Sequence, residues 1–247
     1  EEYSGTSWSA GGAMAIARQF LAGFGTQNAA VVTGGVPGSS STEEYNGSSW
    51  ATGGAKIVAR CYLGGAGIIN AGLAVGGYAS GVKSCTEEYN GSTWATGGGL
   101  ITARMSLGAT GTQNAALAFG GYPSPNDKTC TEEYNGTAWS LGGNLIIGRG
   151  FLQGFGCQND TVASGGSNPS DVACVENYNG IAWSRVSALP EMQRNAGAAG
   201  TSNAGVIFGG YNGGSIMNRT QEYNLGPKQL LGAGFQKWIG KVDFVTE

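Results

Sequence analysis

The sequence predicts an all-β protein: a β-propeller of five four-stranded blades, with the ring closed by pairing of the N- and C-terminal strands. The first observation behind this prediction is an internal repeat of about 44 residues that runs through most of the 247-residue chain. The second is that each repeat divides into four short strand-like stretches bounded by Gly-Gly and Asn-Gly, without convincing helical periodicity. Units of this kind cannot bury both faces alone, and stacking them around an axis covers those faces.

Four markers recur in a constant order and define the repeat. A Tyr ends an EEY-like string at Tyr3, Tyr45, Tyr89, Tyr134, Tyr178 and Tyr223. A Trp follows five positions later at Trp8, Trp50, Trp94, Trp139 and Trp183. An Arg recurs at Arg18, Arg60, Arg104, Arg149 and Arg194, and a Gly-Gly pair follows each Arg within the unit. Five sets of Arg and Gly-Gly predict five blades.

The order of strands within a unit follows from local chemistry. An apolar stretch such as 115–121 suits a buried strand that ends in glycine, and 129–134 suits the next strand. Asn-Gly, as at Asn46-Gly47, is typical of a two-residue hairpin loop with positive φ. That loop places Tyr45 and Trp50 on one face, two residues apart along the paired strands, where they pack against the neighbouring blade.

Ring closure is the least regular part of the pattern. The fifth unit has no Trp at the expected position, Lys228, so the strand carrying Trp8 is predicted to complete the fifth blade. This leaves two Tyr strands, Glu1–Tyr3 and Gln221–Tyr223, for one slot, unless the chain is part of a larger ring. We therefore expect a propeller over 1–224 and an aperiodic segment over 225–247, either a strap or a docking segment. Its docking candidates are Leu231, Phe235, Trp238 and Phe244.

Composition argues against several classes of function. The chain has no His, which removes His-based catalytic triads and His metal sites. Charged residues make up 12%, the net charge is −3 and no basic patch occurs, so nucleic acid is not an expected partner. No apolar run is long enough for a membrane helix. We expect no cofactor, no metal and no enzymatic activity.

The repeated carboxylates and thiols have structural interpretations. The pairs Glu43-Glu44, Glu87-Glu88 and Glu132-Glu133 point to opposite faces of a strand and cannot converge on one atom. One Glu per blade is expected to pair with Arg60, Arg104 or Arg149. Cys85, Cys130 and Cys174 occupy one repeat position, too far apart for disulfides, whereas pairing of Cys61 and Cys157 stays open. The Trp residues at 8, 50, 94, 139 and 183 are assigned to the framework.

Variable loops after Gly-Gly are the predicted recognition surface, since loops on a rigid scaffold commonly carry binding. The alternative is loop drift without function. The binding candidates in these loops are Tyr78, Tyr122, Tyr211, Asn126, Asp127 and Asp171.

The Gly-Gly at 120–121, Tyr134 and Trp139 resemble the kelch repeat in order, with Asn in place of the frequent Asp after Tyr and a five-residue Tyr-to-Trp step. The wording TEEYNGTAWS…GG…GTQNAALAFGGY is closer to kelch-like repeats of marine bacteriophage virion and tail proteins. This resemblance implies a virion or extracellular protein, a decoration, fibre or tail-associated propeller. Its expected partners are other virion proteins, copies of itself or a host-surface glycan. A carbohydrate-binding lectin and a cellular kelch scaffold are the alternatives.

Overall fold

The computed structural model shows a five-blade β-propeller built entirely from strands and loops in its described part. It describes residues 1–247 except 37–38, 123–128, 226–227, 232–234, 239–241 and 247. From residue 225 onward it describes strands but no side chains. The predicted fold class and the five four-stranded antiparallel blades are therefore confirmed.

Each blade is a meander of four antiparallel strands. An N-terminal hairpin precedes the first blade and consists of β1 (Glu2–Tyr3) and β2 (Trp8–Ser9). The first blade contains β3 (Ala22–Thr26), β4 (Ala29–Thr33), β5 (Thr42–Tyr45) and β6 (Trp50–Gly53). The second contains β7 (Gly64–Ile68), β8 (Ala71–Val75), β9 (Thr86–Tyr89) and β10 (Trp94–Thr96). The third contains β11 (Gly108–Thr112), β12 (Ala115–Phe119), β13 (Thr131–Tyr134) and β14 (Trp139–Leu141). The fourth contains β15 (Gln153–Cys157), β16 (Asp160–Ser164), β17 (Val175–Tyr178) and β18 (Trp183–Arg185).

The fifth blade has the strand order β19 (Gly197–Thr201), β20 (Ala204–Phe208), β23 (Thr220–Leu225) and β26 (Val242–Thr246). Two further hairpins interrupt it: β21 (Tyr211–Asn212) with β22 (Ser215–Ile216), and β24 (Lys228–Leu231) with β25 (Phe235–Trp238). The prediction that the Trp8 strand completes this blade is wrong, because β26 pairs with β23 in that slot. The N-terminal hairpin instead contacts the blade through side chains, with the Trp8 indole donating to Thr220 at 2.6 Å.

The predicted two-residue Asn-Gly loop is also wrong. Tyr45 pairs directly with Trp50, so the loop has four residues, and the two rings lie 4.9 Å apart. The Asn46 side-chain oxygen accepts the N–H groups of Ser48 and Ser49 at 3.0 and 2.9 Å, which turns the chain without positive φ at Asn46. Only Gly47 in this loop has positive φ, at 89°.

Side chains fasten each blade to the next. The Tyr134 hydroxyl donates to Glu88 of the preceding blade at 2.6 Å, and the Trp139 indole donates to Thr86 at 2.9 Å. Burial, reinforced by the hydrogen bond to Glu88, raises the pKa of Tyr134 to about 12, so the hydroxyl stays protonated and able to donate. The second Glu of each EEY string therefore holds the following blade, which explains why the pair repeats.

The first Glu of each string pairs with the recurring Arg, as predicted. Arg104 lies 2.9 Å from Glu132 with both side chains fully buried. The same pair occurs as Arg18–Glu43, Arg60–Glu87 and Arg149–Glu176. The Glu carboxylate also accepts backbone N–H groups, such as that of Ile101 at 2.7 Å. Each pair therefore ties the chain segment entering a blade to the middle of that blade.

The fifth unit departs from this pairing, and the marker at Arg194 is one residue out of register. Gln193 occupies the Arg position, buried at 1% exposure, and its partner Gln221 takes the Glu position at 1%. The two amides meet at 3.4 Å. Arg194 instead pairs with Asp171 at 3.2 Å and lies 4.9 Å from the Tyr211 ring centre. Both members of the charged pair are thus replaced together.

All five Cys are free thiols, so the prediction for Cys85, Cys130 and Cys174 is confirmed. Cys61 and Cys157 do not pair either. Burial raises the pKa of the Cys61, Cys130 and Cys174 thiols, which disfavours their reactive thiolate forms.

The fifth blade suggests a test of the buried ion pair. Arg104→Gln or Glu132→Gln alone leaves an unpaired buried charge and should cost about 3–5 kcal/mol of unfolding free energy. The double variant recreates the neutral pair of the fifth blade and should cost less than either single change. Denaturant unfolding of all four proteins measures this, and additive losses in the double variant would contradict the pairing.

Candidate functional site

A depression of about 380 Å³ lies where the five inner strands begin, at one end of the propeller axis. Every unit contributes to its wall. The lining residues include Phe20, Tyr62, Ser106, Phe151 and Asn195, one from each unit. A volume of this size is within the usual range for small-molecule sites.

These five residues share an unusual backbone conformation. Their φ angles are 53–57°, in the left-handed region that residues other than glycine rarely adopt. Backbone hydrogen bonds hold them in series: Tyr62 N–H donates to Phe20 at 2.9 Å, and Ser106 N–H donates to Tyr62 at 2.8 Å. Phe151 and Asn195 continue the series at 2.8 and 3.0 Å. Each left-handed residue costs on the order of 1–3 kcal/mol, and strain of this kind is a recognised pointer to a functional site.

The chemistry of the depression is aromatic with polar edges. The rings of Phe20 and Tyr62 stack at 4.3 Å, and Phe151 stands edge-on to Tyr62 at 6.3 Å. The Ser106 hydroxyl is buried without a hydrogen-bond partner among the described residues. The surrounding side chains enclose that hydroxyl, so it does not face the open space of the depression. The depression can therefore offer ring faces for stacking.

The loop candidates divide into several groups in the structure. Tyr122 does not line the depression but contacts a residue that does: its ring lies 5.2 Å from Phe151, and its hydroxyl donates to the Ser167 carbonyl at 3.3 Å. Tyr78 is 42% exposed on its own loop. Tyr211 and Asp171 are both engaged with Arg194, and Asp171 also accepts the Gly213 N–H at 2.7 Å.

The remaining candidates are not described. Asn126 and Asp127 lie outside the described residues. Leu231, Phe235, Trp238 and Phe244 fall in β24, β25 and β26, where side chains are not described. Their proposed roles stay predictions.

Sequence reasoning missed the left-handed residues altogether. They stand two positions after the recurring Arg or, in the fifth unit, after Gln193, and their identity changes from unit to unit. A variable residue at a fixed place in a constant framework was the available signal. Without the backbone angles, nothing in the sequence separated it from the variable loops.

A second missed residue is Lys56, which is 4% exposed. The same place in the third, fourth and fifth units is held by buried leucines, Leu100, Leu145 and Leu189. Burial, followed by the nearby Arg60 guanidinium, lowers the pKa of Lys56 to about 7. Its amine lies 3.4 Å from the Ser39 carbonyl. The blade therefore holds a buried lysine whose charged form is strongly disfavoured compared with an exposed lysine.

Within the described part of the chain, no three His, Cys, Asp or Glu side chains are grouped closely enough to hold a metal ion. Among the same residues, no helix is both long and apolar enough to cross a membrane. The fold and the depression define the class of protein as a five-blade β-propeller with an axial aromatic depression. No protein-family model matches the chain, and no curated protein matches it.

Replacing Lys56 by Leu should stabilise the protein in a pH-dependent way. The pKa of Lys56 is about 7 in the folded state against 10.5 when exposed, so the unfolded chain binds more protons between these values. Stability of the parent should therefore rise with pH through this window. The gain from Lys56→Leu should be on the order of 2–4 kcal/mol at pH 6 and shrink toward pH 10. Denaturant unfolding of both proteins across this range measures it; a pH-independent difference would contradict the buried amine.

Proposed function

We propose that this chain is a non-enzymatic adhesion or structural protein of a virus particle, which contacts a host surface or another protein through its axial depression. The observation that carries the proposal is the set of aromatic residues displayed there on a strained backbone that is held by a series of hydrogen bonds. The resemblance of the repeats to kelch-like repeats of bacteriophage virion proteins supports the assignment to a particle.

The repeated charged groups support a non-enzymatic function. Glu87 and Glu132 are held by Arg60 and Arg104, and Glu88 accepts the Tyr134 hydroxyl. Glu88 joins two neighbouring blades, whereas Glu87 and Glu132 each bind an Arg of their own unit. The depression, by contrast, is lined mainly by aromatic rings, leucines and amides, which are groups suited to binding, and its one charged residue, Arg18, is paired with Glu43.

Carbohydrate is the ligand class that the lining favours, and a lectin is the second candidate function. Stacked rings such as Phe20 and Tyr62 offer flat apolar faces that fit the C–H face of a sugar ring. The exposed Asn195 at the same depression supplies an amide for hydrogen bonds to sugar hydroxyls. Adhesion to a host surface and binding of a free glycan share this chemistry.

The depression can be tested without unfolding the protein. Tyr62→Gly and Phe151→Gly remove rings at positions where glycine adopts the observed φ without strain, so stability should not fall by more than about 1 kcal/mol. Binding on a glycan array should weaken at least tenfold in each variant. Ile181→Ala, an exposed apolar change in a blade hairpin loop, is the control and should bind as the parent does.

If the parent binds no glycan on the array, the lectin function is excluded. The assignment to a virus particle is then tested on purified particles. There, mass spectrometry of purified virus particles should find the protein. Its consistent absence from them would overturn the assignment to a virion.

A further inference from the structure

The outer parts of the blades form a closed circuit with six members. Each member donates a Tyr hydroxyl to the preceding one. The six bonds are Tyr3 to Glu222, Tyr45 to Glu2, Tyr89 to Glu44, Tyr134 to Glu88, Tyr178 to Glu133 and Tyr223 to Asn177. The N-terminal hairpin of β1 and β2 is therefore the sixth member, standing between the fifth blade and the first. Trp8 bonds to Thr220 as Trp139 bonds to Thr86, which confirms its place.

The inner parts of the blades have only five members. Successive inner strands pack side by side from β3 through β7, β11 and β15 to β19. Between β19 and β3, within the described residues, no comparable packing exists. The series of backbone bonds between left-handed residues likewise runs from Phe20 to Asn195 without a described bond that closes it. A gap one blade wide therefore lies between the fifth and first blades, on the side of the N-terminal hairpin that faces the propeller axis.

The wall of this gap on the fifth blade is apolar and uncovered. Val206 is partly exposed, whereas its counterparts Leu73, Leu117 and Val162 are at 0% because the next blade covers them. Ala199 is exposed, whereas its counterpart Ala66 is buried. A depression of about 320 Å³ opens at this place, lined by Ala199, Gly200, Ala204, Gly205, Val206, Glu222 and Asn224.

The opposite wall, on the first blade, is uncovered in the same way. Val32 and Ala30 are partly exposed, whereas Ala118 and Ala116, their counterparts in the third blade, are at 0%. These small and β-branched residues are the type that receives a neighbouring inner hairpin in the other blades.

Gln27 shows what the missing element would supply. In the third blade, the Gln113 amide donates to two carbonyls of the preceding blade, Gly72 in an inner strand and Tyr89 in an outer strand. Gln158 does the same in the fourth blade. Gln27 donates to the outer-strand carbonyl, Tyr3, at 3.2 Å. The second carbonyl, from an inner strand, is the one that the gap lacks.

We propose that the gap between the fifth and first blades is a docking site for a β-hairpin with the chemistry of this chain's own inner hairpins. Its occupant is the inner half of one further repeat unit, which completes a sixth blade with β1 and β2. Small residues on one face of that hairpin meet Val206 and Ala199, and its second strand offers a carbonyl to Gln27. The site takes a two-stranded hairpin, because each full blade places two strands there.

The test supplies that hairpin in register. Residues 104–131 are duplicated and placed directly before Glu1, so that the added Thr131 precedes Glu1-Glu2-Tyr3 as it precedes Glu132-Glu133-Tyr134 in the third blade. The melting midpoint of the extended chain should rise by at least about 5 °C. The matched control carries Leu117→Asp and Ala118→Asp in the added copy, one change on each packing face, and should melt as the parent does.

A second measurement separates docking from general stabilisation. The decrease in melting midpoint caused by Gln27→Ala should be at least twice as large in the extended chain as in the parent, because two hydrogen bonds are lost instead of one. An unchanged midpoint in the extended chain, or an equal effect of Gln27→Ala in both, would overturn the proposal. It would also fail if light scattering shows a dimer that dissociates when Val206→Asp is introduced, since a second copy then fills the gap. A further variant replaces residues 228–238 by a Gly-Ser linker. If the added hairpin raises the melting midpoint only in that variant, the gap is assigned to β24 and β25 and the proposal fails.

Discussion

Contact between neighbouring units is the constraint on which the rest of this propeller depends. A single blade is a small meander whose two faces need cover, and its cover is the next blade. Three kinds of hydrogen bond recur at this contact, and the examples are Tyr134 to Glu88, Trp139 to Thr86 and Gln158 to Tyr134. They are directional, so they set the angle and spacing of the blades as well as holding them. The apolar faces between them supply the bulk of the driving force.

The buried Arg–Glu pairs act within the unit and complement these contacts. Each binds the segment that enters a blade, and so fixes the start of the inner strand where the left-handed residue stands. The Gln193–Gln221 pair shows that two uncharged side chains can occupy these positions when both partners change together. Phe20, Tyr62 and Phe151 stand two residues after this anchor, so the Arg–Glu pairs fix the backbone from which the aromatic rings of the depression project. A preformed site loses little entropy on binding, which agrees with the binding function proposed for the depression.

Sequence reasoning reached the strands, the blade count and the Arg–Glu pairing because these rest on periodic residues. It failed where a side chain altered the backbone or where the period broke. The Asn46 side chain caps its own loop, so Asn-Gly did not signal a two-residue turn here. Gln193 went unnoticed because Arg194, one residue later, satisfied the expected pattern. The slot filled by β26 was assigned to Trp8, since nothing local distinguishes strand order in aperiodic sequence. None of the predicted binding candidates lines the depression, and Tyr122 only contacts one lining residue, Phe151.

The inner strands at the two ends of the series, β3 and β19, are less covered than the three inner strands between them, β7, β11 and β15. Amide hydrogen exchange of the unmodified chain tests this most directly, with β7, β11 and β15 as internal references. Amides of β3 and β19 should exchange at least about tenfold faster than their counterparts in those three strands. Equal protection in all five inner strands would contradict it, because the end strands would then be covered as fully as the others.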